Sequence, residues 1–333
     1  SINRDVYAIK IDGKSKTRLS LKTGTNSATF SPNFQFFINT HSSATTAPNY
    51  TLNDSKSGAL VKAIVSNEAV ENKLAKYDVA LKEFFVLTTE NGQQLNAWMI
   101  KPNDFDAKNK YPVFMFQYSG PGSQQVANQW NSTNDYWFMM LAQQGYIVAC
   151  VDGRGTGFKG AAFKKCTQKE LGKYEVEDQI AAAKVIGKYN YIDASRIGIF
   201  GWSYGGFMSS NCLFQGADVF KMAIAVAPVT SWRYYDSIYT ERYMQTPQEN
   251  ASGYDNNSPI NHVSKLKGNF LLIHGTADDN VHVQNTMKMV EALVQANKQF
   301  DWAIYPDKNH GIYGGKTRLQ LYTKMTNFIK EKL

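Results

Sequence analysis

Over residues 1 to about 65, apolar and polar positions alternate in short runs, the period-2 signature of strands buried on one face. Val6-Tyr7-Ala8-Ile9-Lys10 alternates and is closed by Asp12-Gly13, a hairpin signal. Arg18–Leu21, Ala28–Phe30, Phe34–Asn39, Asn49–Leu52 and Leu60–Ile64 follow, separated by Gly24, Pro32-Asn33, Pro48-Asn49 and Asp54. This pattern predicts one four-stranded β-propeller blade plus a connection over residues 1–66. A lone blade exposes its edges and an apolar face, so the pattern also predicts further blades upstream of residue 1. The competing reading is a small β subdomain packed on an enzyme core.

Asn67 to Asp78 reads as a short helix or linker. From Lys82 onward the rhythm changes to strands alternating with helices. Strands are predicted at Glu83–Thr89, Leu95–Lys101, Val113–Tyr118, Tyr146–Val151, Arg196–Phe200, Met222–Val226, Phe270–His274 and Asp301–Tyr305. Helices are predicted at Asp135–Gln144, Tyr174–Lys188, Tyr204–Phe214, Val281–Ala296 and Thr317–Lys332. The later strands are near-continuous apolar runs, as expected when helices cover both sheet faces. The first two alternate and are joined at Asn91-Gly92, a second hairpin signal. Eight strands, mostly parallel, with helices on both faces make the α/β-hydrolase fold, predicted here for residues 67–333.

Composition changes this picture little. The 333 residues are 43% apolar, enough for a full core, and fit one large domain or two. The net charge of +8 is spread along the chain without a dense basic run, so it reads as solvated surface and gives no nucleic-acid partner. No apolar stretch of about 18 residues is present, so no membrane span is predicted. Cys150, Cys166 and Cys212 are too few for a disulfide scaffold and read as free thiols, with room for one bridge. The opening Ser1-Ile-Asn-Arg reads like the middle of a fold, which places any signal segment outside this chain.

Candidate chemistry centres on Gly201-Trp202-Ser203-Tyr204-Gly205, a G-x-S-x-G sequence with a strand before it and a small-residue helix after it. A serine on such a turn is exposed for attack. The flanking glycines suit a turn where a Cβ would clash. The bland alternative is a helix N-cap serine. An activated serine needs a base, and the base an orienting acid, in the chain order Ser, Asp or Glu, His. Of five histidines, His310 sits on the polar loop Asp307-Lys308-Asn309-His310-Gly311 after the last strand and is favoured over His282. His262 precedes a Lys-rich loop, His274 ends a strand ahead of the acid and reads as structural, and His41 reads as a surface residue of the β segment. Asp278 is the predicted acid, with Asp279 as an N-cap for a helix at Val281.

The Tyr204 N–H is one predicted oxyanion donor. For Tyr118, a second hydroxyl donor and a plain core aromatic stand as equal readings. Asp152-Gly-Arg-Gly-Thr-Gly departs from a dinucleotide loop at Phe158, and no metal-ligand cluster is present, so neither a cofactor nor a metal is implied.

These segments together resemble the dipeptidyl peptidase IV branch of the prolyl oligopeptidase family of serine peptidases. The shared motifs are Asp152-Gly-Arg-Gly-Thr-Gly, Leu171-Gly-Lys-Tyr-Glu, Gly201-Trp-Ser-Tyr-Gly-Gly, Ala227-Pro-Val-Thr, Tyr235-Asp-Ser-Ile-Tyr-Thr-Glu-Arg-Tyr, His274-Gly-Thr-Ala-Asp-Asp-Asn-Val-His and Asp307-Lys-Asn-His-Gly. The resemblance implies Ser203 as nucleophile, Asp278 as acid, His310 as base and Tyr118 as oxyanion donor. It implies an aromatic P1 pocket from Trp232, Tyr235, Tyr239, Val229, Val281 and Tyr204, with Asn280 holding the P2 carbonyl. Asp236, between the two pocket tyrosines, resembles the pattern of strict exopeptidases. The implied activity is release of N-terminal X-Pro or X-Ala dipeptides from peptides, by an exported or cell-surface homodimer. In relatives, paired propeller glutamates bind the substrate amine; they would lie upstream of residue 1. Tripeptidyl release therefore stays open, as do an esterase or acylaminoacyl peptidase and a non-catalytic scaffold.

Overall fold

The computed structural model describes residues 1–130 and 132–333. It divides into two compact units: residues 1–83 with 100–103 and 126–144, and residues 84–99, 104–125 and 145–333.

In the first unit, β1 (Tyr7–Ile9) and β2 (Lys16–Arg18) form an antiparallel hairpin. The second strand ends at Arg18, where the sequence predicted it to begin. Four antiparallel strands follow in sheet order, β3 (Thr25–Phe30), β4 (Phe36–Ser43), β5 (Thr46–Asp54) and β6 (Leu60–Val65). The unit also holds α1 (Glu68–Leu74) and α2 (Thr133–Gln143). Every residue of β6 is exposed, as a one-sided edge requires.

His41 corrects its surface assignment, because it is 3% exposed. On β4 the inward positions are Phe37, Asn39, His41 and Ser43, whereas Phe36 and Ile38 face outward. The inward polar groups are paired, with Asn26 Oδ1 accepting from Asn39 Nδ2 at 3.2 Å and lying 3.1 Å from His41 Nδ1. Burial, reinforced by the Lys22 charge, pulls the His41 imidazole below its ordinary pKa.

The second unit is built on one eight-stranded sheet. Its strands in chain order are β7 (Glu83–Thr88), β8 (Gln94–Ile100), β9 (Tyr111–Phe116), β10 (Ile147–Asp152), β11 (Ile192–Trp202), β12 (Met222–Val226), β13 (Asn269–Gly275) and β14 (Asp301–Tyr305). The spatial order is β14-β13-β12-β11-β9-β10-β8-β7, with parallel pairing from β10 through to β14. This is the α/β-hydrolase fold. The β7–β8 turn bonds Gly92 N–H to the Thr89 carbonyl at 2.9 Å, and Gly92, at φ +82°, takes the left-handed position that closes a three-residue hairpin loop. Burial explains the apolar runs: every residue of β10 and β12, and all of β13 after Asn269, is buried.

The connecting helices are α3 (Ala161–Lys165), α4 (Lys173–Ile186), α5 (Tyr204–Gln215), α6 (Ser237–Met244), α7 (Ala251–Asn256), α8 (Gln284–Gln295) and α9 (Thr317–Lys332). Because β9 lies between β10 and β11, the chain order reverses there, and ligands of open α/β sheets gather at the carboxyl ends beside such a reversal. Cys166 and Cys212 are free thiols.

Candidate active site

The loop after β9, the turn after β11 and the loops after β13 and β14 all leave the carboxyl edge of the sheet. Ser203 occupies the turn from β11 to α5 with φ +62° and ψ −118°, a conformation a non-glycine residue adopts only when its surroundings enforce it. The enforcement is visible. The Ser203 N–H donates to the Val226 carbonyl at 2.8 Å, and its carbonyl accepts from Phe207 N–H at 3.0 Å. A Cβ on Gly201 would sit 2.3 Å from the Gly205 carbonyl oxygen, and one on Gly205 2.7 Å from that of Gln117. Only glycines let these segments close. The N-cap alternative for Ser203 is not realised, since its side chain makes no capping hydrogen bond.

Asp278 and His310 meet. His310 Nδ1 lies 2.7 Å from Asp278 Oδ2, so Nδ1–H donates to the carboxylate and Nε2 is left as the basic nitrogen. The other carboxylate oxygen accepts from Asn280 N–H at 3.0 Å and Val281 N–H at 2.9 Å. Burial alone would raise the Asp278 carboxyl. Hydrogen bonds from His274 and His310, with the His310 charge, instead hold it well below the usual carboxylate range. The His310 carbonyl accepts from Trp202 Nε1–H at 2.9 Å, which ties the base's backbone to the residue before the serine.

His274 is more than a buried strand end. Its Nε2 lies 2.7 Å from the Val281 carbonyl and 3.2 Å from Asp278 Oδ2, and its Nδ1 lies 2.7 Å from Thr286 Oγ1. A carbonyl only accepts, so Nε2 carries the proton and Nδ1 accepts from the threonine. His274 thus bonds the same carboxylate oxygen as His310. Asp279 corrects its assignment. It is exposed, and α8 starts at Gln284 because the Asp278 carboxylate first draws Asn280 and Val281 into a tight turn. His282 is exposed, and His262 is bound to the Asn256 carbonyl at 2.7 Å.

Of the two readings of Tyr118, the placement favours the hydroxyl donor, since the phenol lies close enough to Ser203 to interact with its side chain. Burial, partly offset by that interaction, raises the phenol above its ordinary pKa, so it remains protonated and able to donate. The loop is held by Gln117, whose Nε2 donates to the Gly205 carbonyl at 2.8 Å and to Ser209 Oγ at 3.0 Å. Tyr204 begins α5, where the first N–H groups have no intrahelical acceptor.

The remaining predicted residues form an aromatic cluster beside the serine. Trp232 lies 5.4 Å from Tyr204, 5.9 Å from Tyr235 and 6.0 Å from Tyr239, centroid to centroid. Tyr235 and Tyr239 meet edge-on at 5.3 Å, and Tyr118 lies 6.0 Å from Tyr204. Val229 and Val281 are buried in the same core. The Tyr235 hydroxyl donates to Asn280 Oδ1 at 2.7 Å. Asp236 caps α6 by accepting from Tyr239 N–H at 2.8 Å, which fixes the start of the helix that carries Tyr239. Asp152-Gly-Arg-Gly-Thr-Gly serves the fold: Asp152 accepts from Gln125 N–H, and Arg154 pairs with Asp178 at 2.7 Å. No metal-binding cluster is found among the described residues.

The chain matches the prolyl oligopeptidase family over residues 131–333 and the dipeptidyl peptidase IV N-terminal region over residues 1–48. It is 45% identical over 269 residues to a protein of Phaeosphaeria nodorum named "Probable dipeptidyl-aminopeptidase B", covering 80% of this chain and 29% of that one. A protein of the same name from Sclerotinia sclerotiorum is 38% identical over 335 residues, covering 98% and 36%. The crystal structure of Porphyromonas gingivalis dipeptidyl peptidase 4 superposes with a TM-score of 0.96 at 52% identity, over 99% of this chain and 46% of that one. The chain therefore spans about a third of the length of the curated relatives it matches.

Proposed function

Since the chain belongs to the prolyl oligopeptidase family, we propose that it is the catalytic part of a serine exopeptidase that releases N-terminal X-Pro or X-Ala dipeptides. In this reading Ser203 attacks the carbonyl after the penultimate residue while His310 Nε2 takes its proton. Asp278 holds the imidazole and stabilises the imidazolium. The Tyr118 hydroxyl and the Tyr204 N–H receive the developing oxyanion. The protonated His310 then protonates the leaving amine. Water, deprotonated by His310, hydrolyses the dipeptidyl ester and restores the serine.

The single observation that carries the substrate class is the ring cluster of Trp232, Tyr235, Tyr239 and Tyr204 beside the strained serine. A flat pyrrolidine packs against aromatic faces at low entropic cost, and a longer branched P1 side chain meets the same rings as obstacles. With Tyr235 donating to its Oδ1, Asn280 keeps its Nδ2–H₂ to donate to the P2 carbonyl. The partners are then proline-containing peptides. Export and homodimer formation are part of the same proposal, supported by the family resemblance and tested by cell fractionation and by the mass of the particle in solution.

The test uses the full-length protein with Gly-Pro-anilide, an N-blocked Gly-Pro-anilide and Ala-Ala-Pro-anilide, and Ser203→Ala as control. Release from the free dipeptide alone, lost in the variant, is expected. Preference for the tripeptide would make it a tripeptidyl peptidase. Equal rates on the blocked substrate would overturn the exopeptidase reading in favour of an esterase or acylaminoacyl peptidase. No turnover of any substrate would favour a scaffold.

A further inference from the structure

Glu175 takes no part in the mechanism above, yet it is fully buried next to it. It stands in the first turn of α4, where Oε2 accepts from Gly172 N–H at 3.1 Å and Oε1 lies 2.7 Å from the Tyr204 hydroxyl. Two motifs that the chemistry left unused converge on it. Gly155, at φ +94°, brings Asp152-Gly-Arg-Gly-Thr-Gly so close that an added Cβ would lie 3.5 Å from Glu175 Cγ and 2.9 Å from Thr167 Cγ2. Gly172, at φ +97°, brings Leu171-Gly-Lys-Tyr-Glu against the Phe207 ring, 2.5 Å from where its Cβ would be. Phe207 in turn packs edge-on to Tyr204 at 5.3 Å.

No cation pairs with this acid among the described residues. The nearby Arg154 is committed to Asp178, by 2.7–3.1 Å bonds from its guanidinium and its N–H, and to Glu177. The other titratable groups close enough to interact with Glu175 are Asp178 on its own helix, Cys166, Tyr204 and Tyr239. A buried carboxyl with no counter-charge is costly unless its hydrogen bonds are needed where they are. Here the partner is the residue that follows the nucleophile, which carries both a ring in the aromatic cluster and a backbone N–H at the start of α5.

We propose that Glu175 is a positioning residue for Ser203 chemistry: its bond to the Tyr204 hydroxyl fixes the ring that walls the P1 site and, through it, the N–H that receives the oxyanion. The inference rests on the peptidase reading for its substrate but not for its test. Ser203 of the full-length protein is titrated with diisopropyl fluorophosphate, whose phosphoryl oxygen needs the same N–H whatever the peptide specificity. Both the labelling rate and Gly-Pro-anilide turnover are then expressed per titrated serine.

Glu175→Ala is expected to lower both rates about tenfold or more, part of what a lost oxyanion donor costs. Glu175→Gln, whose Oε1 can accept from Gly172 N–H while its Nε2–H₂ donates to the Tyr204 hydroxyl oxygen, should stay within about threefold of wild type. Tyr204→Phe should lose a similar factor, and the Glu175→Ala/Tyr204→Phe double variant should be no worse than the poorer single variant, since both changes break one bond. Glu175→Asp, which withdraws the carboxyl by one methylene, gives the same reading should the alanine variant fail to fold. Wild-type labelling rates in Glu175→Ala or Glu175→Asp, or losses that multiply in the double variant, would overturn the inference, because a residue that only supports the fold changes the number of active serines and not their rate. A wild-type protein that labels but cleaves no proline anilide would overturn the peptidase reading alone.

Discussion

Asp278 is the residue on which the site turns. Two histidines share one of its oxygens and two backbone N–H groups share the other. Its depressed pKa has a defined sign. The group contributes stability that is present above its ordinary value near 3.8 and is lost as pH falls through its lower folded value. It therefore stays ionised across the working range, and Asp278→Asn should remove function by tautomer and not by collapse, lowering kcat by about 10⁴. On the proposed mechanism Tyr118→Phe removes one oxyanion donor and should lower kcat by about 10²–10³ with little change in KM. Steady-state kinetics on Gly-Pro-anilide measure both. The pairing of Asp278 with His310 was legible in the sequence, because each sits just past an apolar strand in the required order. The part played by His274 was not. It lies four residues before the acid at a buried strand end, and only the fold of the intervening turn brings its Nε2 back onto the carboxylate.

At the scale of elements, the site depends on how closely β11 and α5 approach. The glycines around Ser203 mark that approach in the sequence, and the Cβ distances give it a magnitude. Gly201→Ala would force its methyl into the Gly205 backbone. It should destabilise by about 1–3 kcal/mol or more and abolish activity together, as thermal unfolding and serine titration of the full-length protein would report. Wild-type unfolding in that variant would contradict the account. The parallel strands were legible because a strand buried on both faces is a continuous apolar run. The short helices α3, α6 and α7 were not, because five to eight residues hold too few turns to display a period. Strand β4, whose His41 was read as a surface residue, misled for a different reason. Its buried positions carry Asn39 and His41, paired to Asn26, so polarity no longer marks the solvent side.

At the scale of the whole molecule, buried acid chemistry links stability to pH. Burial pushes the Glu175 carboxyl up to about 8, more than its hydrogen bonds from Tyr204 and Gly172 can offset. A group raised in the folded state contributes stability that is full below its ordinary value of 4.5 and is lost as pH rises from there toward about 8. The thermal midpoint of wild type should therefore fall across that window, and Glu175→Gln should flatten the fall. Parallel slopes in the two proteins would contradict it. The first break between the two compact units falls at Glu83, beside the switch in rhythm at Lys82, but residues 100–103 and 126–144 return to the first unit, which no feature of the sequence displays.

The central claim is that Ser203 is the nucleophile of an acyl-enzyme. It is tested most directly by trapping. The full-length protein is mixed with excess diisopropyl fluorophosphate, digested, and the adduct mapped by mass spectrometry. A single modification on the peptide bearing Gly201-Trp202-Ser203-Tyr204-Gly205, absent in Ser203→Ala and strongly slowed in His310→Ala, is the predicted result. An unmodified Ser203, or labelling of another serine at the same rate, would contradict the account.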